Sequence, residues 1–133
     1  MNNQEIVDFL NKIDKTQYRT TYNEDKSLFE VDFGSSQSRV GTFEIEGTTL
    51  KAHWRGTTTI SIKEGKIHIH IAEDKLEPRE ASPREIKGWI EHNHLGTLFL
   101  ALNDLTLDQA KELNGLNDPK TYENKKASEE ALV

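Results

Sequence analysis

The chain has 133 residues, no cysteine and a formal net charge of −6. The absence of cysteine excludes disulfides, thiolate metal sites and cysteine nucleophiles, and the length suffices for one domain with its own hydrophobic core. The acidic balance argues against direct binding to nucleic acid, which requires a clustered basic surface.

Two features of the chain bear on where the protein works. Residues 1–5 include no basic stretch, and no apolar stretch follows them, so we expect no secretory signal. The longest apolar run, 98–102, is far shorter than a membrane span, so we expect no membrane binding. A cytoplasmic location fits both features and the lack of cysteine.

The first predicted elements are a helix and two strands. Asn2 or Asn3 can cap the helix, and apolar residues recur along it at helical spacing. This stripe consists of Ile6, Phe9, Leu10 and Ile13. Strands are predicted at 18–22 and 28–33, and the polar residues 23–26 form the turn between them.

Two runs of alternating residues, 58–63 and 66–71, are separated only by Glu64 and Gly65. Because alternate residues of a strand lie on opposite faces, the pattern predicts a hairpin with one apolar face and one polar, histidine-bearing face. Another hairpin is predicted at 47–48, where a leading glycine suits a type II′ turn.

Counting outward from these turns predicts the register of the sheet. The critical connection is a three-residue loop, 55–57, which keeps the apolar faces aligned and pairs His53 with Thr59. Two rows of side chains should therefore cross the polar face. The first row is Thr42, His53, Thr59 and His70, and the second is Glu44, Lys51, Ser61 and His68.

Two capping boxes indicate helices in the second half of the chain. Ser82 with Glu85 begins one helix, and Thr106 with Gln109 begins another. A buried strand is predicted between them, at 97–102, because the apolar run there has the length of a strand. Its position in the sheet stays open.

These elements predict an α+β fold, in which an antiparallel meander of five to six strands is packed on one face by two to three helices. A single domain is expected over residues 1–117, followed by a flexible polar tail at 118–133. The aromatic residues of the apolar stripes should lie in the core, Phe33 among them. Tyr18 and Tyr22, near the edge of the sheet, can either cover the core or anchor a partner.

The five histidines raise the question of a metal site. His68 and His70 share a face of one strand, but His53 belongs to a different strand, about 10 Å from His70 at the usual strand spacing. His92 and His94, two residues apart at a helix end, should point in different directions. We therefore expect no bound metal and no cofactor.

Catalytic signatures are scarce. Ser61 opposite His68 could pair a nucleophile with a base, but it lies in mid-strand rather than at an exposed turn. The chain has no Walker loop, no glycine-rich dinucleotide motif and no His-Glu-x-x-His motif. Whether the protein is an enzyme stays open, and the sequence favours a non-enzymatic function.

The favoured function is that of a small acidic binding protein that occludes a partner, as toxin immunity proteins and phage-encoded antagonists do. The expected partner is another, basic protein, which an acidic surface would complement. The candidate partner-binding residues are Glu24, Asp25, Glu44, Glu73 and Asp74.

An alternative function is recognition of a small anion, with or without catalysis, on the histidine-bearing face. The candidate ligand-binding residues are Lys51, His53, Thr59, His68 and His70. Binding would then strengthen as these histidines become protonated. A third possibility is an oligomer-forming accessory domain, and the sequence leaves the oligomeric state open.

Overall fold

The computed structural model describes residues 1–13, 17–54, 56–74, 77–91 and 93–115. Its described part contains a seven-stranded antiparallel sheet whose strands follow one another in chain order. The strands are β1 (Tyr18–Asn23), β2 (Leu28–Phe33), β3 (Arg39–Glu46), β4 (Thr49–His53), β5 (Thr57–Lys63), β6 (Lys66–Ile71) and β7 (Arg79–Glu80). The predicted meander is confirmed, with one short strand more than the five to six expected.

Helices pack on one face of this sheet and complete the predicted α+β class. They are α1 (Asn3–Ile13), α2 (Pro83–Glu85), α3 (His94–Leu102) and α4 (Leu107–Leu113). Helix α2 continues directly as a π-helical segment, Ile86–Glu91, and a short 3-10 turn, Ala72–Asp74, follows β6. The predicted domain boundary at 117 and the polar tail at 118–133 lie outside the described residues.

Strand alternation gives the sheet an inner, apolar face and an outer, polar face. The buried inner-face side chains are Phe29, Val31, Phe43, Leu50, Ala52, Ile60, Ile67 and Ile69. Helical side chains close the same core from the other side, and they are Ile6, Leu10, Ile86, Ile90, Leu95, Leu98, Phe99 and Ala110. The outer-face side chains of β3 to β6 are exposed or half-buried, so this face is open to solvent.

Two asparagine side chains form hydrogen bonds with strand backbones, one with β1 and the other with β6. Each does so at a position where no full strand pairs with that backbone. Asn11 accepts a hydrogen bond from the Thr20 N–H at 2.8 Å and donates to the Thr20 carbonyl at 2.9 Å. Asn114 makes the same two bonds to Ile67, at 2.9 and 3.1 Å, and also donates to the Ala81 carbonyl. Each amide thus replaces the partners that a neighbouring strand would supply.

The predicted strand at 97–102 is wrong, because these residues form most of helix α3. Asn93 caps this helix by accepting a hydrogen bond from the Leu95 N–H at 2.9 Å. Leu95, Leu98 and Phe99 are fully buried and therefore share one helical face. A short apolar run fits a buried helix as well as a buried strand, so its periodicity alone could not separate the two.

The turns at 47–48 and 64–65 are as predicted, but the connection between β4 and β5 is not. The structure pairs His53 with Thr57 and Lys51 with Thr59, a shift of two residues from the expected register. Trp54 leaves the strand, and its N–H donates to the Gly56 carbonyl at 2.8 Å. The shift is even, so the faces keep their composition while the outer rows change their members.

Candidate functional site

An aromatic groove opens at one end of the inner face and is the clearest concave surface there. It has a volume of about 440 Å³ and is lined by Tyr18, Phe33, Arg39, Val40 and Trp54. We call these five residues the aromatic groove. Tyr18 and Phe33 lie directly opposite each other in the β1–β2 register, with ring centroids 5.8 Å apart.

Phe33 is 43% exposed, although the alternation predicted it in the core. It is the last residue of β2, and the register between β2 and β3 shifts between Val31 and Asp32. The extra residue of this bulge is Val40 of β3, which lines the groove, and a bulge bends the strand that contains it. The groove therefore arises where the sheet continues past the end of its helical cover.

Close packing holds the walls of the groove in place. Tyr18 stacks on His94, the first residue of α3, with ring centroids 4.9 Å apart and planes 17° apart. The Trp54 ring meets His94 nearly edge-on at 5.7 Å and covers Gly41, where any side chain would meet the indole at about 3.1 Å. The aromatic walls are thus preformed, and Phe33 is their exposed member.

Arg39 is the charged residue in the lining of the groove, and carboxylates of the outer face hold it. Arg39 Nε donates to Asp32 at 2.6 Å and Arg39 Nη1 donates to Glu30 at 2.8 Å, and these hydrogen bonds raise the pKa of Arg39. Two carboxylates therefore hold one guanidinium. Arg19 lies opposite Asp32 in the β1–β2 register, so these two arginines and two carboxylates balance in charge.

The outer face brings together some of the predicted ligand-binding residues and separates others. Lys51, Thr59 and His70 lie in one cross-strand row, with Glu44 opposite Lys51. His68 lies in the next row, opposite Ser61 as predicted. The expectation that Thr59 lies between His53 and His70 is wrong, because Lys51 occupies the place expected for His53.

His53 instead joins a network with two other side chains. Its Nε2 lies 2.7 Å from a Glu44 carboxylate oxygen and its Nδ1 lies 3.1 Å from the Thr57 hydroxyl. A carboxylate only accepts, so a neutral His53 carries its proton on Nε2 and accepts from Thr57 through Nδ1. His53 and Glu44 are thus hydrogen-bonded to each other across β3 and β4.

The predicted partner-binding carboxylates do not form one surface. Glu24 and Asp25 lie in the exposed β1–β2 turn, at the end of the sheet opposite the aromatic groove. Glu73 accepts a hydrogen bond from the Thr57 N–H at 2.8 Å and lies against Gly56, so it supports the β4–β5 connection. The side chain of Asp74 lies outside the described part of the chain.

A second concavity, of about 620 Å³, lies beside α2. It is lined by Arg79, Ser82, Arg84, Glu85, Gly88 and Trp89. Arg79 donates two hydrogen bonds to Glu85, and Ser82 completes a capping box with the same carboxylate. Burial raises the pKa of Glu85, but the hydrogen bonds from Arg79 and Ser82 lower it by more. Trp89, predicted to be core, is half-buried here.

Two features are absent from the part of the chain that the structure describes. No group of three His, Asp or Glu side chains is arranged to hold a metal ion in this part of the chain. His92, one of the histidines considered for a metal, lies outside it. Among the same residues, no helix is long and apolar enough to cross a membrane.

Comparison of the chain with protein-family models, curated proteins and solved structures found no match. The function must therefore be inferred from the site. The aromatic groove could not have been found from the sequence, since Phe33 and Trp54 continue apolar patterns there. The available signal was positional, because Phe33 ends a strand directly before the polar run 34–38.

Proposed function

We propose that this protein is a non-enzymatic binding protein that occludes a basic protein partner, and that the aromatic groove is its anchor. The single observation that carries the proposal is Phe33, a large apolar side chain 43% exposed beside Tyr18, Trp54 and Arg39. Aromatic residues and arginine are the types most enriched at the energetic centres of protein interfaces.

The preformed walls of the groove favour tight binding of a protein segment. Tyr18 and Trp54 are already fixed by their contacts with His94 and Gly41. A partner therefore gains apolar contact without ordering these side chains, and ordering costs about 0.5–1.5 kcal/mol for each rotamer-rich side chain. An aromatic or large aliphatic side chain is the complementary anchor.

The acidity of the chain supports a basic partner. Arg39 is paired with Asp32 and Glu30, so the groove presents no unpaired arginine there, and the whole chain carries a formal charge of −6. Opposite charges increase the rate of encounter, and this effect is screened by salt. We therefore propose a partner segment that places a lysine or arginine next to its apolar anchor. The lack of cysteine supports a cytoplasmic setting for this interaction.

A random peptide library displayed on phage tests the proposal and does not require the natural partner to be identified first. The library is selected on the immobilised protein, and the enriched sequences are made as synthetic peptides. We expect a lysine or arginine near an aromatic or large aliphatic residue. Phe33→Ala should weaken binding of the best peptide at least tenfold, which corresponds to about 1.4 kcal/mol. Raising the salt concentration should slow its association.

Ile13→Ala is the matched control. Ile13 is 44% exposed, as much as Phe33, but it lies at the end of α1 and does not line the groove. This variant should bind the peptide as the wild type does. The proposal would be overturned if the best peptide bound the Phe33→Ala variant as tightly as it binds the wild type. It would also be overturned if the selected peptides were acidic. Dimerisation that Phe33→Ala abolishes, measured by sedimentation velocity, would identify a second copy as the occupant and also overturn it.

A further inference from the structure

We infer that the outer face of β4 to β6 binds a small ligand with two or three linked phosphate groups. The residues that carry this site are Lys63 and Lys66, with Ser61 and His68 in the next row and Lys51, Thr59 and His70 in the row after it. We call these seven residues the basic strip. The strip lies on the face opposite the aromatic groove and is independent of the function proposed there.

The register brings two like charges together at one end of the strip. Lys63 and Lys66 are direct cross-strand partners at the β5–β6 turn. Like charges in this position are destabilising. Glu64 and Gly65, between them in the chain, have φ 56° and 75°, the ordinary geometry of a tight two-residue hairpin turn, so the turn itself explains the backbone. The repulsive lysine pair is what remains, and a local cost of this kind at an exposed point favours a functional site.

The lysines of the strip are available to a ligand. In the described part of the chain, Lys51, Lys63 and Lys66 make no ion pair, as Lys12 and Lys87 on the helices also make none, and Glu44 is the cross-strand neighbour of Lys51. The strip also offers hydroxyl donors, Ser61 and Thr59, between its charged members. Ammonium and hydroxyl groups are the donors that phosphate oxygens accept from in proteins.

The spacing of the strip indicates more than one phosphate group. Outward side chains recur every second residue, so neighbouring rows are about 7 Å apart along the strands, and the strands are about 4.8 Å apart. A single phosphate at Lys63 and Lys66 cannot reach His70, two rows away. Linked phosphates can bridge from the lysine row to Ser61 and His68.

Neighbouring groups limit the ligand to a compact anion. Glu46 and Glu80 lie at the two ends of the row that contains Ser61 and His68. These carboxylates would repel a long polyanion that continued across the sheet. No phenylalanine, tyrosine or tryptophan belongs to the strip, so it lacks the platform on which the bases of single-stranded nucleic acid stack.

Titration with inorganic tripolyphosphate, followed by two-dimensional NMR at constant ionic strength, tests this inference. We expect saturable shifts in β5 and β6 and in the ring signals of His68 and His70. The double variant Lys63→Ala/Lys66→Ala should bind at least tenfold more weakly. Inorganic phosphate should also bind at least tenfold more weakly than tripolyphosphate, because it cannot bridge two rows.

The control is a double variant that removes the same charge elsewhere, Lys12→Ala/Lys87→Ala. Both lysines are exposed on helical segments outside the strip, and this variant should bind tripolyphosphate as the wild type does. If both double variants lost the same affinity for tripolyphosphate, the net charge of the protein alone would explain binding, and the inference would be overturned. Absence of saturable shifts would also overturn it. Tighter binding of oligothymidylate than of tripolyphosphate would assign the strip to nucleic acid instead.

Discussion

Gly96 of α3 lies against the backbone of Trp89, so closely that a methyl group at Gly96 would overlap the Trp89 carbonyl oxygen. It would also lie 2.6 Å from the Ile90 Cα. Helix α3 and the π-helical segment therefore cross at a point where only glycine fits. This contact sets the position of the entire α3 helix, including His94 at its start, beneath Tyr18.

Gly96→Ala should be strongly destabilising, because the backbones must separate to admit a side chain. We expect a loss of about 3 kcal/mol or more in the free energy of unfolding, beyond the usual range for overpacking. Gly88→Ala is the control, since no atom lies within 4 Å of its added methyl group. Alanine there should instead stabilise by about 0.5–1 kcal/mol. Urea denaturation measures the free energy of unfolding of both variants. Equal changes in the two variants would contradict the close helix crossing at Gly96.

Asn114→Ala should also destabilise the fold. The substitution leaves the Ile67 N–H and the Ala81 carbonyl without the amide that bonds them, whereas the Ile67 carbonyl keeps the hydrogen bond that it accepts from the Ala81 N–H. A buried polar group without its partner costs about 1–3 kcal/mol. Asn114→Asp keeps the acceptor for Ile67 but loses the two donor bonds, so it should not restore stability. Chemical denaturation measures the free energy of unfolding of both variants. A value equal to that of the wild type for either variant would contradict this role.

Phe33→Ala should cost little stability, because the side chain is already 43% exposed. Phe43→Ala, at the centre of the core and fully buried, should cost about 3–5 kcal/mol. Thermal denaturation of the two variants compares them directly. A large loss for Phe33→Ala would mean that Phe33 supports the fold, and the tests of peptide binding would then need a milder substitution such as Phe33→Leu.

Glu85→Gln should destabilise the protein in a pH-dependent manner. The pKa of Glu85 is lowered in the folded state, so its ionised form contributes stability that is present above the ordinary glutamate pKa and lost as pH falls through the folded value. Glutamine keeps one acceptor oxygen for the Ser82 N–H of the capping box, but it loses the charge facing Arg79 and one of the two hydrogen bonds from Arg79. At pH 7 we expect the free energy of unfolding of the variant to be about 0.2–1 kcal/mol lower than that of the wild type. This difference should become smaller as the pH falls below about 4.3. A difference independent of pH would contradict the role of this charge.

Local chemistry explains which parts of the fold could be predicted. Glycine at the first position of the 47–48 turn and at the second position of the 64–65 turn has positive φ, and each turn fixes the register beside it. The capping boxes at Ser82 and Thr106 each begin a helix as expected. In these cases a few neighbouring residues determine the backbone.

The wrong predictions depended on contacts distant in the chain. The β4–β5 register is shifted by Trp54 packing on Gly41 and by Glu73 bonding the Thr57 N–H, and neither partner is near in sequence. The run 97–102, predicted as a strand, belongs instead to a helix whose Gly96 packs closely against the Trp89 backbone. The aromatic groove depends on the same long-range packing. Cross-strand placement of Thr59 with His70 was predictable because one short turn determines it.

The asparagine amides at β1 and β6 also bear on behaviour at high concentration. β6 alternates isoleucine with histidine, and hydrophobic strands with unpaired edges are templates for fibril growth. A strand added beside Ile67 must displace the Asn114 amide together with the short strand β7 and the Ala81 N–H, and one added beside Thr20 must displace Asn11. The two side chains therefore act against aggregation as well as for stability, and a protein that lacks them should form fibrils under conditions in which it is still mostly folded.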